Sequence, residues 1–351
     1  MTVTINDIAQ RSKVSHATVS RVLNNSGYVK DETRKKVQKV IKDLNYTPSA
    51  IARSLSKSKT NTIGVIVPDI NNLFFGEIIK GITEIADEHN LNIILCDTDE
   101  NKDKELKAIN VLKEQRIQGL LMTPTFYKDS SNNENLNALK NLEIPIILID
   151  GHVEYLDFSG VFIDHIKGAY AGTTTLIEAG HTKIAIITGD MNSRPAKERL
   201  LGYEKALEAN NIPIANEYIF YGDYKYETAY EITKQILKMD NRPTAIFVSS
   251  NTMILGCIKA FYEEKIDIPR DMAIIGFDKL DMLNIIGMNI SFINGPSIEL
   301  GRIGMKMLLE NLNSNKPTEI KRVTILPEIL LKGSEKYIES QLPTTLKGSG
   351  L

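Results

Sequence analysis

Residues 5–56 read INDIAQRSKVSHATVSRVLNNSGYVKDETRKKVQKVIKDLNYTPSAIARSLS, and the spacing of their apolar positions divides them into three short helices and a linker. Thr4, just ahead of the stretch, pairs with Asp7 in a capping-box-like arrangement that can satisfy the orphan amides of a first helix. Ile5, Ile8 and Ala9 follow at helical spacing. Lys13 and Val14 make a tight connection, and Ser15 is placed to cap a second helix, HATVSRVLN (16–24), in which Val19, Val22 and Leu23 share one face. Ala17 and Arg21 lie on the opposite face, with His16 and Ser20 beside them. After a turn at 24–27, Asp31 opens a third helix whose Val37, Val40, Ile41 and Leu44 form the stripe of a packed amphipathic helix. Pro48 is expected to end that helical segment, leaving 49–56 as a short helix-capable linker.

Two short helices in tight succession, the second polar and basic and supported by a third, make a helix-turn-helix. Such a second helix can enter a major groove. Arg21 can donate two hydrogen bonds to guanine O6 and N7, His16 is placed as a second reader, and Ala17 can touch a thymine methyl.

The charge distribution agrees. The whole chain of 351 residues, too long for one ordinary compact domain, carries a formal net charge of only −2. Residues 1–60, however, hold twelve Lys and Arg against four acids, a net of +8, which leaves −10 for the remainder. A small basic head on a larger acidic body suggests a polyanionic partner, with a merely solvated basic face as the lesser alternative. The two cysteines, Cys96 and Cys257, lie far apart in apolar surroundings, which excludes a disulfide framework or a cysteine-rich zinc site and fits a reduced, cytoplasmic setting. The N-terminus has no apolar run of the signal-peptide kind, and apolar stretches such as 144–149 are far too short to span a bilayer, so no membrane role is expected.

From residue 62 the pattern changes to short apolar runs alternating with amphipathic helices. Strands are expected at 63–69, 92–98, 119–124 and 145–151, and in a second series at 161–164, 183–189, 218–223, 244–250 and 272–278. Near-continuous apolar strands with helices between them predict two doubly wound parallel sheets, with ligands bound at the carboxyl ends of the strands, facing a cleft between two lobes. Asp69, Asp150, Asp164, Asp223, Ser250 and Asp278 sit at those ends, and each can equally serve to cap the helix that follows. A polar cleft with aromatic flanks would suit a neutral polyol such as a sugar.

The 5–56 stretch closely resembles the DNA-binding head of the LacI/GalR family of bacterial transcription regulators, most specifically through ATVSRVLN, VKDETRKKV and NYTPSAIARSL running into TNTIGVIVPD. The resemblance continues through about residue 332. It implies that His16, Ala17 and Arg21 read bases, and Thr4, Ser15, Thr18 and Asn24 complete the expected DNA-contacting set of the head. It further implies that the linker folds as a hinge helix when two copies meet in the minor groove, with Leu55 as the apolar wedge and Ala52 and Arg53 as groove and phosphate contacts. The body resembles the periplasmic-binding-protein-type effector domain of the same family. There Arg199 matches an effector-binding arginine, Tyr224 an aromatic wall, and Asp150 and Asp278 acidic ligand contacts. Phe74, Phe75 and Asn72 stand where members place first-lobe contacts. Ser250 and Asn251 complete the expected effector-binding set, although they stand where the family pattern has an Asn-Asp pair; its Gln-Pro is likewise Gly295–Pro296 here.

These readings place a helix-turn-helix domain at 1–47, a hinge and linker at 48–61, a two-lobe body at 62–335 and a flexible tail at 336–351. The first lobe is expected at about 62–160 and 293–323, and the second at about 161–290 and 324–335. No GxSxG, HExxH, Walker A or GxGxxG sequence is present, the five histidines are scattered, and His165 near Asp164 has no obvious nucleophile. No catalytic residue, cofactor or metal is therefore expected. The expectation is a homodimeric repressor of carbohydrate uptake or catabolism genes that binds a near-palindromic operator and answers to a sugar effector. The alternative is a catabolite-control-type regulator activated by a phosphorylated phosphocarrier protein docking on the first lobe. No leucine heptads follow Lys332, so no tetramerising coiled coil is expected.

Overall fold

A computed structural model describes residues 3–23, 25–46, 60–125, 134–153, 156–314 and 319–337. The chain divides into two compact units, 1–61 and 62–351. Asn24, the hinge residues Ala52, Arg53 and Leu55, and the tail after Tyr337 lie outside the described residues.

The head consists of α1 (Ile5–Ser12), α2 (His16–Leu23) and α3 (Asp31–Asp43). The capping box is formed in both directions: the Thr4 amide donates to Asp7 Oδ2 at 2.8 Å, and the Asp7 amide to Thr4 Oγ1 at 3.4 Å. Lys13 closes α1 in the left-handed region, and Ser15 Oγ accepts the Thr18 amide at 3.2 Å to start α2. Ile8, Val19 and Val37, one from each helix, are wholly buried against one another, so the apolar stripes meet in one small core. The third helix closes at Asp43, ahead of Pro48: Asn45 turns left-handed (φ 45°), and the Tyr46 amide reaches back to the Ile41 carbonyl at 3.0 Å. An asparagine that tolerates positive φ ends this helix before the proline has to.

In the body, the first sheet has the order β2-β1-β3-β4-β5-β11, from β1 (Thr62–Val67), β2 (Asn92–Asp97), β3 (Leu120–Met122), β4 (Ile146–Ile149), β5 (Ser159–Ile163) and β11 (Arg322–Ile325), all parallel. The second has the order β7-β6-β8-β9-β10-β12, from β6 (Ile184–Thr188), β7 (Ile219–Tyr221), β8 (Ala245–Val248), β9 (Ala273–Phe277), β10 (Ser291–Asn294) and β12 (Glu328–Leu330). Only its edge strand β12 runs antiparallel to its neighbour. The two lobes thus repeat one topology. Helices α4 (Leu73–Glu88), α5 (Lys102–Glu114), α6 (Glu134–Lys140) and α12 (Ser297–Asn313) cover the first sheet. Helices α7 (His165–Glu178), α8 (Arg194–Ala209), α9 (Tyr226–Leu237) and α10 (Asn251–Glu263) belong to the second lobe, as does the short α11 (Met282–Ile285). α4 and α12 pack so closely that a Cβ on Gly81 would stand 2.0 Å from the Ile298 carbonyl oxygen, so glycine is required there.

The lobe boundaries differ from those read in the sequence. Residues 161–163 of the run expected to open the second lobe belong to β5, which pairs with β4 in the first sheet. Likewise β10 is the second lobe's strand rather than a return into the first, and β11 stays wholly in the first sheet, past residue 323. Each crossing falls just after its strand, where Asp164 caps α7 and Pro296 precedes α12. An apolar run is equally stable in either sheet. Its hydrophobicity therefore cannot say which side of a crossover it occupies.

Candidate functional site

On the head, Ser15, His16, Ala17 and Arg21 are exposed while Val19 and Val22 are buried beneath them, so α2 turns a polar, basic face outward. Thr18 is half-buried and bonded to Ser15 Oγ at 2.9 Å, which makes it a helix-start residue first. Thr4 is exposed at the start of α1 but engaged by Asp7. This is the geometry of a recognition helix presenting side chains to a groove.

In the body, the carboxyl ends of β1, β3, β4, β6, β8 and β9 converge on a cavity of about 130 Å³ between the lobes. Eight of the sequence-derived ligand residues line it: Asn72, Phe74, Phe75, Asp150, Arg199, Tyr224, Ser250 and Asp278. Asn251 does not. It faces a small adjoining pocket, and its amide donates across the lobes to Asn72 Oδ1 at 3.1 Å. Asn72 and Ser250 also cap α4 and α10, so capping and cleft-lining coexist in one side chain.

Asp150 and Asp278 occupy equivalent places in the two lobes. Each follows the fourth strand of its lobe with positive φ (48° and 64°), a conformation aspartate tolerates, and each amide donates to the next strand, to Val161 O at 2.8 Å and Ile293 O at 2.7 Å. Between them lies a buried chain of polar contacts. Asp150 Oδ1 bonds His165 Nε2 at 2.9 Å, and Arg199 Nε donates to His165 Nδ1 at 3.3 Å. Because an arginine Nε can only donate, His165 carries its proton on Nε2 and gives it to Asp150. Arg199, 3% exposed, also donates to the Ser249 carbonyl and to Asp278 Oδ2 (3.5 Å), and its guanidinium lies 3.8 Å from the Phe277 ring centroid.

Asp278 is the uncompensated member. Its Oδ1 is buried with no hydrogen-bond partner, and burial pushes its carboxyl up to about 6 against the opposing pull of Arg199. The glycine at 295, where the family pattern has glutamine, leaves bare backbone beside that oxygen: a Cβ there would stand 3.7 Å from it. At the cavity's mouth, the protein around Glu100, then Asp190, Asp69 and Asp223, push Glu100 up to about 7. Tyr224 is held with φ 66°, its ring lies against Gly189, and its hydroxyl is 2.9 Å from Ser193 Oγ. Burial pushes that phenol up to about 12, so it stays a donor.

His165, Ser193 and Glu100 were missed in the sequence as cleft residues. A lone histidine, a helix-start serine and a surface glutamate carry no spacing signal; only tertiary contact gives them roles. Among the described residues, no cluster of three or more His, Cys, Asp or Glu could hold a metal, and no helix is long and apolar enough to cross a membrane.

A helix-turn-helix head and a two-lobed body enclosing a polar cavity define a DNA-binding transcription repressor with a sugar-binding type of effector domain. Comparison with known proteins agrees along the chain. The family model for bacterial regulatory proteins of the lacI family matches residues 4–49, and that for periplasmic binding proteins and the sugar binding domain of the LacI family matches 60–335. Catabolite control protein A of Priestia megaterium is 36% identical over 93% of this chain and 97% of its own. The ribose operon repressor of Haemophilus influenzae is 32% identical over 94% and 98%. The Lac repressor dimer bound to operator and the anti-inducer ONPF shares the fold, with a TM-score of 0.83 at 24% identity, covering 96% and 100% of the two chains. The chain belongs to the LacI family of bacterial transcription regulators.

Proposed function

We propose that the protein represses carbohydrate uptake or catabolism genes as a cytoplasmic homodimer, and that an uncharged sugar held between its lobes sets its affinity for a near-palindromic operator. On this reading Arg21, His16 and Ala17 read bases, Thr4, Ser15, Thr18 and Asn24 position the head, and Ala52, Arg53 and Leu55 act in the hinge. No chemical step occurs; the cleft binds and releases.

The observation that carries the reading is the interlobe cavity lined by Asp150, Arg199 and Asp278 together with Phe74, Phe75 and Tyr224. Carboxylates and a guanidinium can bond paired hydroxyls, and the aromatic faces can take the apolar face of a sugar ring. Glu100, Asp150, Asp190 and Asp278 outnumber Arg194 and Arg199 in the lining, which disfavours phosphorylated or carboxylated ligands. The volume is room for on the order of ten waters, the scale of one sugar ring. A ligand that prefers one lobe arrangement shifts operator affinity by its differential affinity, typically about 5- to 150-fold.

The test uses the full chain. An operator is selected from random duplexes, and its affinity is followed by fluorescence anisotropy while neutral monosaccharides and disaccharides are added. At least one sugar should shift operator affinity within that range, and Arg199→Ala should abolish the shift while operator binding persists. A panel with no effect refutes the sugar reading. A second reading, activation by a phosphorylated phosphocarrier protein, is favoured by the 36% identity to catabolite control protein A. Its signature is operator affinity that rises with the phosphocarrier and ignores every sugar.

A further inference from the structure

His165 is 2% exposed, and both of its ring nitrogens are engaged, one by each lobe. It opens α7 directly after the crossover from β5, where the Asp164 side chain accepts the Lys167 amide at 3.0 Å and fixes the start of the helix. Its ring stands 5.5 Å from that of Phe277, the same ring on which the Arg199 guanidinium lies at 3.8 Å. One turn along α7, a Cβ on Gly168 would stand 3.0 Å from Phe277 Cε2, so the glycine lets the helix bring the imidazole this close. The helix start and the packing on Phe277 together fix where the imidazole stands.

From there it holds, from behind, two residues that line the interlobe cavity. Arginine presents five N–H donors in one plane. Three of those on Arg199 are engaged: Nε by His165, and one each by the Ser249 carbonyl and Asp278. The contact at Nε sets the rotation of the plane and leaves two donors for a ligand. Asp150 is held in the same way. Its Oδ1 accepts the Ile163 amide at 3.0 Å and His165 Nε2 at 2.9 Å, which leaves Oδ2 for a ligand. An imidazole with its proton on Nε2 accepts at one side of a rigid ring and donates at the other, so it can serve both partners at once. Groups already oriented bind more tightly because less freedom is lost on binding.

We propose that His165 is the positioning residue of the effector site: one imidazole orients Arg199 of the second lobe and Asp150 of the first. This inference rests on the reading of Arg199 and Asp150 as effector contacts and adds the residue through which they act together.

Two measurements on the full-length protein test it, and the first needs no ligand. In proton–nitrogen spectra of histidine-labelled protein near neutral pH, the His165 signals are assigned by their loss in His165→Asn or His165→Gln. They should show Nε2 protonated and Nδ1 bare; a proton on Nδ1 overturns the proposal, because Arg199 Nε then has no acceptor. In arginine-labelled protein the Arg199 Nε–H signal should move in His165→Leu and return toward its place in His165→Asn, whose amide oxygen stands near the position of Nδ1. The second measurement is calorimetric titration with glucose, galactose, ribose, maltose, cellobiose and lactose. His165→Leu should weaken whichever of them binds by about tenfold or more. His165→Asn should recover part of that loss through Arg199, and His165→Gln part of it through Asp150, with thermal melts and retained operator binding showing the variants folded. If the leucine variant does not fold, the asparagine and glutamine variants should each still bind more weakly than wild type. Unchanged sugar affinity in the folded variants overturns the proposal and leaves the sugar reading intact. If no sugar binds the wild type, the sugar reading falls, while the spectra still decide whether His165 holds Arg199.

Discussion

Replacing Asp278 with asparagine removes a cleft carboxylate with one oxygen buried and unbonded. Its carboxyl is pushed from an ordinary 3.8 up to about 6 by burial, with Arg199 and His165 pulling the other way. A folded-state value above the unfolded one means that the folded chain holds the extra proton between those pH values. Stability is therefore lost as pH rises from 3.8 toward 6, by about 3 kcal/mol in all. Above pH 6 the folded protein carries a buried, half-satisfied carboxylate. D278N cannot ionise, suits the positive φ of 64° at this position, and keeps an oxygen that Arg199 can reach. Between pH 5 and pH 7 the stability difference should swing by about 1 kcal/mol in favour of the variant. For a body of this size that is roughly 2 °C in Tm. Differential scanning calorimetry of ligand-free wild type and D278N across pH 5 to 7, in one buffer series, reads the swing directly, because every other titrating group is common to both. Melting curves that stay parallel across the range would refute the claim that Asp278 is ionised at a cost. The same variant should lose its response to sugar, so stability and function should move in opposite directions.

Two further substitutions probe other parts of the molecule. Gly189→Ala puts a methyl 2.0 Å from Tyr224 Cζ, so the ring must leave its place; a loss of about 1–3 kcal/mol in stability and weaker sugar binding are expected, checked by denaturant melts and calorimetry. Arg21→Ala on the exposed face of α2 should cost about 1–3 kcal/mol in operator affinity and relax the preference at one base pair; an unchanged preference in a base-substituted operator series removes Arg21 from the readers.

The head was almost fully legible. Its helices are short, each signals its own start through Thr4 or Ser15, and Ile8, Val19 and Val37 mark three stripes that can bury only against one another. The end of α3 was misplaced because Pro48 is a louder signal than Asn45, and the asparagine acts first. In the body, the strands were visible as apolar runs, and Asp150 and Asp278 as the polar residues that end them. The crossovers were misplaced by a few residues, since β5, β10 and β11 carry no mark of the sheet they join. Ser250 and Asn251, adjacent in the chain, part company in space: α10 starts between them, so one caps the helix at the cavity and the other reaches across the lobes to Asn72.

By itself the sequence determined the elements: a basic helix-turn-helix, alternating strands and helices, and which residues end the strands. Those properties are local, because periodicity, capping and charge act within a few residues of the chain. Tertiary structure alone decided which strands share a sheet and that His165 joins Asp150 to Arg199. It also decided that Asp278 Oδ1 is left without a partner. Each of these depends on residues far apart in the chain meeting at one place, and on what their burial removes from water.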